Sequence, residues 1–246
     1  MGRRRIEAGE NLDDVEARMQ VVVLRHSVKG DDGELTDEGR RLAGEYWNDV
    51  FGGEIPSEDG RVFHSEIGRS RETAEIISLG LSSPTLIEDS RLSENPYTDE
   101  AITEYGIGDG IWLLEDQPSS ELPPTLMLAS RMASVIMEVA GGLVNVPEGE
   151  EELVFCVSHV PPIMLFLKYA LPDRWENEDV LRSLGGFTKV LHGFQVLFER
   201  KRDGVQVRLL VDVVIDGNFS SFEEELSLDK LSELALLGGK MQACGQ

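Results

Sequence analysis

Basic residues are scarce in this sequence. The chain has 23 Lys and Arg residues against 46 Asp and Glu residues, which gives a formal net charge of −23 at pH 7. Proteins that bind nucleic acids need a basic face against the phosphate backbone, and anionic membrane surfaces also attract basic segments. The composition therefore argues against nucleic acids and membrane surfaces as partners.

Cysteine is almost absent, with two residues among 246. Cys156 lies within an apolar run and Cys244 lies near the C-terminus, so the pair suggests neither a disulfide framework nor a zinc site. A buried free cysteine usually behaves as a small hydrophobic residue. We therefore expect no disulfide and no cysteine-based metal centre.

The sequence also shows no apolar run that approaches the length of a membrane span, which is about 20 residues. Three arginines at residues 3–5 are not followed by the apolar segment of a signal peptide. The cytoplasm is therefore the predicted location. A hydrophobic content of 41% is sufficient for a packed core in a chain of this length.

Short apolar runs alternate with amphipathic segments along the chain. The predicted strands are residues 21–25, 61–65, 84–88, 153–158, 188–200 and 205–215, and the predicted helices are 36–51, 68–79, 125–143, 161–170 and 222–237. An Asp-Gly pair between the last two strands is typical of a hairpin, which makes the sheet mixed. This pattern predicts a three-layer α/β/α sandwich with a mixed, mostly parallel sheet.

We predict a single domain over residues 1–246. Residues 1–20 are polar and are expected to form an N-terminal extension, either a short amphipathic helix or a loose tail. Residues 93–124 and 173–187 are irregular and are predicted to be insertions that frame the mouth of the site. Aromatic side chains in the first insertion line a substrate pocket or form the insertion's own core.

Arginine and histidine residues stand where predicted strands end. Arg25 and His26 end the first strand, Arg69 begins the helix after the second, and His159 follows a later strand. Ligands of open α/β sheets bind beyond the carboxyl ends of the strands. Guanidinium groups and helix N-termini both favour phosphate oxygens. A lone Arg-His pair is usually structural, but this convergence predicts a site for a tetrahedral anion.

A neutral imidazole in line with a phosphorus atom can attack it, and a carboxylic acid can then protonate the leaving oxygen. Glu94, just past the third predicted strand, is a candidate for that acid. Glu66, Glu72, Asp32 and Glu100 are close in sequence and remain alternatives.

The positions of these residues resemble those of the histidine phosphatase superfamily, which is phosphoglycerate mutase-like. Residues 24–27 read Leu-Arg-His-Ser where the family has a strand ending in Arg-His-Gly, and residues 35–39 match its Leu-Thr-x-x-Gly helix start. Residues 65–74 match Ser-x-x-x-Arg-x-x-x-Thr-Ala, residues 92–94 match Leu-x-Glu, and residues 158–159 are the Ser-His of a later strand. Together, the five landmarks in the family's order are specific.

The resemblance implies the phosphoglycerate mutase-like fold, which agrees with the predicted sandwich. It also implies that His26 is the nucleophile that becomes phosphorylated. Glu94 would act as general acid for the leaving group and then as general base for water. No metal and no cofactor are implied.

The resemblance further implies a set of groups that bind the phosphoryl group. Arg25, Arg69 and His159 would hold it and stabilise the transition state. Lys29, at a position where many members have Thr, would help to hold the phosphate.

Four departures from the family pattern bear on function. Ser27 and Val160 replace glycines, which would crowd the pocket or remove an N–H contact, and Asp32 would repel phosphate. These three replacements leave open the alternative of a catalytically weak or inactive family relative that binds a phosphorylated ligand or a protein partner. Residues 95–98 read Asn-Pro-Tyr-Thr where the mutases have Arg-His-Tyr-Gly, which favours a phosphatase over a mutase.

The sequence therefore predicts a metal-independent phosphatase that hydrolyses a small phosphomonoester through a phosphohistidine. A metal-dependent hydrolase is disfavoured because no carboxylate pair stands at ligand spacing beside the histidines. His64 and His192 are predicted to be structural, and Arg71 to form a surface ion pair. The long strands near the C-terminus offer an edge through which the chain could form a homodimer.

Overall fold

The computed structural model describes residues 14–51, 59–94, 124–172, 190–215 and 218–244. Their strands are β1 (Val15–Arg25), β2 (Asp59–His64), β3 (Ser83–Glu88), β4 (Glu151–Ser158), β5 (Gly193–Lys201), β6 (Gly204–Ile215) and β7 (Asn218–Leu226). Their helices are α1 (Asp37–Phe51), α2 (Gly68–Ser78), α3 (Pro124–Gly141), α4 (Val160–Ala170) and α5 (Leu228–Cys244).

The seven strands of the described residues form one mixed sheet in the order β3-β2-β4-β1-β5-β6-β7. The pairings β3–β2, β2–β4 and β4–β1 are parallel, and those from β1 through β5 and β6 to β7 are antiparallel. The mixed sheet is as predicted, and the hairpin between β5 and β6 pairs Lys201 with Gly204. Because the prediction lacked β7, the antiparallel share is larger than expected.

Two apolar cores lie on opposite faces of this sheet. On one face, α3, α4 and α5 pack over side chains such as Val21, Val23 and Phe194. On the other face, α1 and α2 pack over Val22 and Phe155. Alternate side chains of β1 therefore enter different cores, which explains why its sequence is a continuous apolar run. The predicted three-layer sandwich is confirmed.

The start of α1 shows how the sequence sets a helix boundary next to the site. The Gly39 N–H donates to Thr36 Oγ1 at 3.0 Å, as a helix N-cap requires. Asp37 and Glu38 in the first turn favour the helix dipole. A Cβ on Gly39 would lie 2.2 Å from the Val28 carbonyl oxygen, so only glycine permits this close approach.

The prediction for residues 15–20 was wrong. They belong to β1, which begins at Val15 rather than at residue 21. Ala17 and Met19 are buried and pack into the core beneath α3. Strand alternation therefore outweighs the weak helical spacing that suggested an amphipathic helix. Residues 1–13 lie outside the described part of the chain.

The prediction of a helix over residues 222–237 was also wrong at its beginning. Residues up to Leu226 form β7, and α5 starts at Leu228 with a Lys230 N–H to Ser227 Oγ bond of 3.3 Å. The run Glu223–Glu225 has poor strand propensity, but β7 is an edge strand where charged side chains face outward. Glu223 pairs with Arg208 of β6 at 2.7 Å.

Helix α3 overturns the expectation that no apolar run approaches membrane-spanning length. The stretch Thr125–Asn145 is long and apolar enough by length and composition, and half of it is buried. Leu128, Met132 and Ile136 on this helix are fully buried in the core that the helix shares with α4, α5 and β1. Packing within the domain accounts for this hydropathy.

The two predicted insertions lie almost wholly outside the described residues, so their placement at the mouth of the site stays a prediction. The aromatic residues Tyr97, Tyr105 and Trp112 also lie there. Described residues flank each of these segments on both sides.

The packing around Phe155 gives a test of the fold. Phe155 is fully buried in β4 and meets Tyr46 and Trp47 edge-on, with centroid distances of 6.3 and 5.3 Å. We expect Phe155→Ala to lower the free energy of unfolding by about 3–5 kcal/mol, because it opens a cavity that the sheet cannot close. Urea denaturation followed by fluorescence measures the change.

The matched control is Leu79→Ala, since Leu79 is 83% exposed at the end of α2. This substitution should change the free energy of unfolding by no more than about 0.5 kcal/mol, as most surface substitutions do. Equal losses for both variants would contradict the described packing.

Candidate active site

The register of two parallel strands places the two site histidines side by side. Arg25 of β1 pairs with Ser158 of β4, so His26 and His159 are each the next residue of neighbouring strands. The His26 N–H donates to the Ser158 carbonyl oxygen at 3.0 Å. The imidazole centroids lie 5.1 Å apart and the rings are tilted by 59°.

The register of β2 against β4 brings a third segment to the same edge. His64 pairs with Val157, which carries Ser65 to the side of His159. Helix α2 begins only three residues later, at Gly68, so Arg69 projects from its first turn. This arrangement follows from the short Ser-x-x-x-Arg spacing.

The segment carrying Glu94 is held by hydrogen bonds from two sides. The Asp89 side chain accepts the Arg91 N–H at 2.9 Å and starts a 3₁₀ turn over Ser90–Leu92. The Ser158 hydroxyl donates to the Leu92 carbonyl oxygen at 2.7 Å. This bond ties the end of the turn to β4, next to His159.

Four of the predicted site residues meet around one guanidinium group. Arg69 Nε donates to His26 Nε2 at 3.0 Å, and Arg69 Nη2 donates to Glu94 Oε1 at 2.7 Å. His159 Nδ1 lies 2.7 Å from the same Glu94 oxygen. The structure therefore brings His26, Arg69, Glu94 and His159 into one cluster, as expected from the sequence.

The tautomer of His26 follows from its two contacts. Its Nδ1 lies 2.7 Å from the Ser27 carbonyl oxygen, which can only accept a hydrogen bond, so Nδ1 carries the proton. The lone pair of Nε2 then faces Arg69. A ring fixed in this way presents the nitrogen that a nucleophile needs.

Burial lowers the pKa of His26 to about 3, and the nearby groups His159, Arg69 and Arg25 act in the same direction. The bond to the Ser27 carbonyl oxygen opposes the shift only in part. His26 is therefore neutral at pH 7, with its Nε2 lone pair available.

Burial alone would raise the pKa of Glu94, but the contacts with His159 and Arg69 outweigh it and lower the value to about 2. Burial also lowers the pKa of His159, and the bond to Glu94 only partly offsets this. His159 is therefore neutral at pH 7 and holds Glu94 by the hydrogen bond at Nδ1, whereas Arg69 contributes both a hydrogen bond and a positive charge.

Arg25 lies close enough to the cluster to interact with it. Burial lowers its pKa, Glu94 raises it and Arg69 lowers it further, which places the guanidinium within electrostatic reach of both. Lys29, in contrast, is exposed on the loop after β1, where its backbone pairs with Leu35. No contact within the described residues joins the Lys29 side chain to the cluster, and its role stays a prediction.

Three of the departures from the family pattern point away from the histidines. The Ser27 hydroxyl donates to the Gly39 carbonyl oxygen at 2.8 Å, and the Ser27 N–H donates to Thr73 Oγ1 at 3.1 Å. Asp32 is exposed and accepts the Glu34 N–H within its own loop. Val160, at the start of α4, packs against the apolar core.

The alternative carboxylates have other partners. Glu72 pairs with Arg40 at 2.6 Å, and exposed Glu66 accepts a hydrogen bond from the Ser93 hydroxyl. Glu100 lies outside the described residues. Among the described carboxylates considered, Glu94 is the one that contacts both Arg69 and His159.

Three further residues with predicted structural roles lie beside the site or on the surface. His64 is buried with its Nδ1 2.8 Å from the Ser65 carbonyl oxygen, and His192 Nδ1 lies 2.9 Å from the Val190 carbonyl oxygen. Arg71 lies 3.9 Å from Glu75 on the exposed side of α2.

Ser65 and Thr73 contribute to the site although no role was predicted for them. Ser65 Oγ lies 2.8 Å from His159 Nε2, and the Thr73 hydroxyl donates to the Arg69 carbonyl oxygen at 2.8 Å while it accepts the Ser27 N–H. For Thr73 the signal is its position four residues after Arg69 on α2, because residues four apart share a helix face. For Ser65 the signal is its place directly after β2, at the strand end that faces the site.

His26, Glu94 and His159 could also serve as metal ligands, since their donor atoms all lie within 4.8 Å of one another. The sequence shows no carboxylate pair beside the histidines, and the structure supplies one carboxylate. Arg69, however, donates to His26 and to Glu94 from within the cluster. A cation already occupies the centre of these donors, so the arrangement favours an anion.

Several solved structures are similar to this chain at low sequence identity. A mycobacterial hydrolase has a TM-score of 0.51 and 18% identity, with 75% of this chain and 96% of that chain covered. A mycobacterial glucosyl-3-phosphoglycerate phosphatase has a TM-score of 0.49 and 16% identity, with coverage of 77% and 96%. A phosphoglycerate mutase from Bacillus anthracis has a TM-score of 0.48 and 13% identity, with 92% of this chain and 98% of that chain covered.

No curated protein matches this chain significantly. The model of the histidine phosphatase superfamily, branch 1, matches residues 24–185, which contain His26, Arg69, Glu94 and His159. This match spans more than half of the sequence. The chain therefore belongs to the histidine phosphatase superfamily.

Proposed function

We propose that this protein is a metal-independent phosphatase that hydrolyses a small phosphomonoester through a phosphohistidine at His26. The observation that carries the proposal is the position of Arg69, whose guanidinium contacts both His26 Nε2 and Glu94 Oε1. One cation thus links the proposed nucleophile to the proposed acid, with His159 on the other side of the carboxylate.

In the first step, the Nε2 lone pair of His26 attacks phosphorus and the bond to the leaving oxygen breaks. Arg69 turns its N–H groups from His26 and Glu94 to the phosphoryl oxygens, and Arg25 adds a second positive charge. Phosphoryl transfer gains most from such positioning and charge neutralisation, because negative charge spreads over the equatorial oxygens in the transition state.

Glu94 has to gain a proton before it can act as the general acid. In this structure its pKa is about 2, because His159 and Arg69 hold the carboxylate in its charged form against the effect of burial. A bound phosphoryl group accepts the hydrogen bonds that Arg69 and His159 otherwise give to Glu94, and it adds negative charge beside Glu94. Both changes raise the pKa of Glu94, which then protonates the leaving oxygen and later accepts a proton from water.

The site gathers positive charge within a strongly acidic chain. With a net charge of −23, the protein repels anionic substrates at long range, so the cleft must focus a local positive potential. Arg25 and Arg69, both largely buried, supply it. Such a short-range field suits a small substrate that carries a single phosphate.

A second candidate is a relative that binds a phosphorylated ligand without turning it over. It is favoured by the partners that Arg69 already has, since His26 and Glu94 accept hydrogen bonds from its Nε and Nη2. A mutase is the third candidate, and its discriminating residues, 95–98, lie outside the described part of the chain.

The first test is hydrolysis of p-nitrophenyl phosphate in the presence of EDTA. We expect turnover by the wild-type protein and none by His26→Ala, because the variant lacks the attacking nitrogen. Rapid quenching and mass spectrometry should detect a phosphate adduct on His26. Phosphate binding without turnover would favour the second candidate, and loss of activity with EDTA would favour a metal enzyme.

The second test compares two arginines of α2. We expect Arg69→Ala to lower kcat/KM by more than about ten-fold, since it removes a charge contact made in the transition state. Arg71→Ala is the control, because Arg71 is exposed on the same helix and pairs only weakly with Glu75 at 3.9 Å. An equal effect of the two substitutions would contradict the role of Arg69.

The third test separates acid catalysis from binding by varying the leaving group. Glu94→Gln should lower kcat/KM, which reports the step that releases the leaving group, by about 100-fold or more for an alkyl phosphate. For p-nitrophenyl phosphate, whose phenolate leaves unprotonated, kcat/KM should fall much less. In the wild-type protein, kcat for the alkyl ester should fall as the pH rises through the pKa of Glu94 in the complex. This fall should be absent in Glu94→Gln, and equal losses for both substrates would assign the acid elsewhere.

A further inference from the structure

Ser65 is a fully buried serine at the junction between β2 and the loop that leads into α2. Its hydroxyl lies 2.8 Å from His159 Nε2, the ring nitrogen on the opposite side from Glu94. His159 is thus held at both nitrogens, by Glu94 at Nδ1 and by Ser65 at Nε2.

The surroundings of Ser65 fix its hydroxyl in place. The Ser65 N–H donates to Ser70 Oγ at 3.2 Å, and the Ser70 hydroxyl donates to the Val157 carbonyl oxygen at 2.8 Å. Ser65 is therefore anchored to β4, two residues before His159. Its Oγ accepts the Ile67 N–H at 3.4 Å, which leaves its own proton free to donate to His159.

We propose that Ser65 is a positioning residue that holds the His159 imidazole in the orientation from which its Nδ1–H reaches the transferred phosphoryl group. The inference rests on the proposed function and adds to it a residue that does not touch the substrate. Its hydroxyl donates to Nε2 and so requires the neutral ring to carry its proton on Nδ1.

The bond from Ser65 gains importance when the anion binds. In this structure Glu94 holds Nδ1 and Arg69 Nη2 lies 3.4 Å from the same nitrogen, so the ring has a second restraint. In the proposed reaction the phosphoryl group takes the Nδ1–H and the N–H groups of Arg69, and it releases Glu94 to act as the acid. The Ser65 hydroxyl then gives the hydrogen bond that still holds the imidazole, at Nε2.

The test measures binding of vanadate, which mimics the five-coordinate transition state, and of inorganic phosphate, which resembles the ground state. We expect Ser65→Ala to weaken vanadate binding roughly ten- to a hundred-fold, the range for a buried nitrogen left without its partner. Phosphate binding should change by less than about three-fold, and kcat should fall more than KM rises.

Ser130→Ala is the matched control. Ser130 is also fully buried, and its hydroxyl donates to the Leu234 carbonyl oxygen at 2.6 Å, on α3 and away from the site. Both variants lose one buried hydroxyl hydrogen bond, so their thermal stabilities should fall by similar amounts. Only Ser65→Ala should lose affinity for vanadate, and Ser65→Cys, with a weak S–H donor, should lie between it and the wild type.

A nitrogen NMR experiment on the four histidines of the chain tests the inference without any turnover. In the vanadate complex of the wild type, His159 should show a protonated Nδ1 and an Nε2 that accepts a hydrogen bond. In Ser65→Ala, the Nε2 resonance should move to that of a nitrogen with no hydrogen bond. His192, whose Nδ1 contacts the Val190 carbonyl oxygen, should stay unchanged as a control for folding.

These outcomes separate the two proposals. Absence of turnover in the wild type, with the Nε2 shift still present in Ser65→Ala, would overturn the proposed phosphatase and keep the role of Ser65. Unchanged vanadate affinity and an unchanged Nε2 resonance in Ser65→Ala would overturn the positioning role, as would an equal loss of vanadate affinity in Ser130→Ala.

Discussion

The guanidinium of Arg69 is the interaction on which the site depends. It donates to His26 at the end of β1 and to Glu94 after β3, and Glu94 in turn lies 2.7 Å from His159 at the end of β4. Three separate segments of the sheet edge are therefore joined through one side chain of α2. Arginine suits this task because its planar N–H groups point in several fixed directions at once.

Arg69 already contacts His26 and Glu94 in this structure, and this has consequences for the proposed reaction. In that reaction a phosphoryl group replaces both contacts, so their loss offsets part of the gain from the new contacts. The same exchange frees the nucleophile and alters the charge around Glu94. Binding and preparation of the proposed acid are thereby one event, which places the proton on Glu94 only when a phosphoryl group is present.

The Ser-x-x-x-Arg-x-x-x-Thr spacing shows how a short motif can organise the whole site. Ser65 contacts His159, Arg69 contacts His26 and Glu94, and Thr73 holds the Ser27 N–H beside His26. Arg69 and Thr73 lie on one face of α2, and Ser65 lies in the loop just before the helix. This one stretch therefore contacts the rings of both histidines and, through Thr73, the backbone next to His26.

The sequence by itself determined the central strands, most helix positions and the residues at the strand ends. A continuous apolar run such as β1 can bury all its side chains only between two cores. Helix caps and turn residues mark where the helices and strands begin and end. It failed where packing outweighs local preference, as in β7, whose glutamates are tolerated at a sheet edge. Only the tertiary structure decided the strand register, which pairs Arg25 with Ser158 and makes His26 and His159 neighbours. Register depends on contacts between residues distant in sequence, so the chain alone could indicate which groups converge but not which atoms meet.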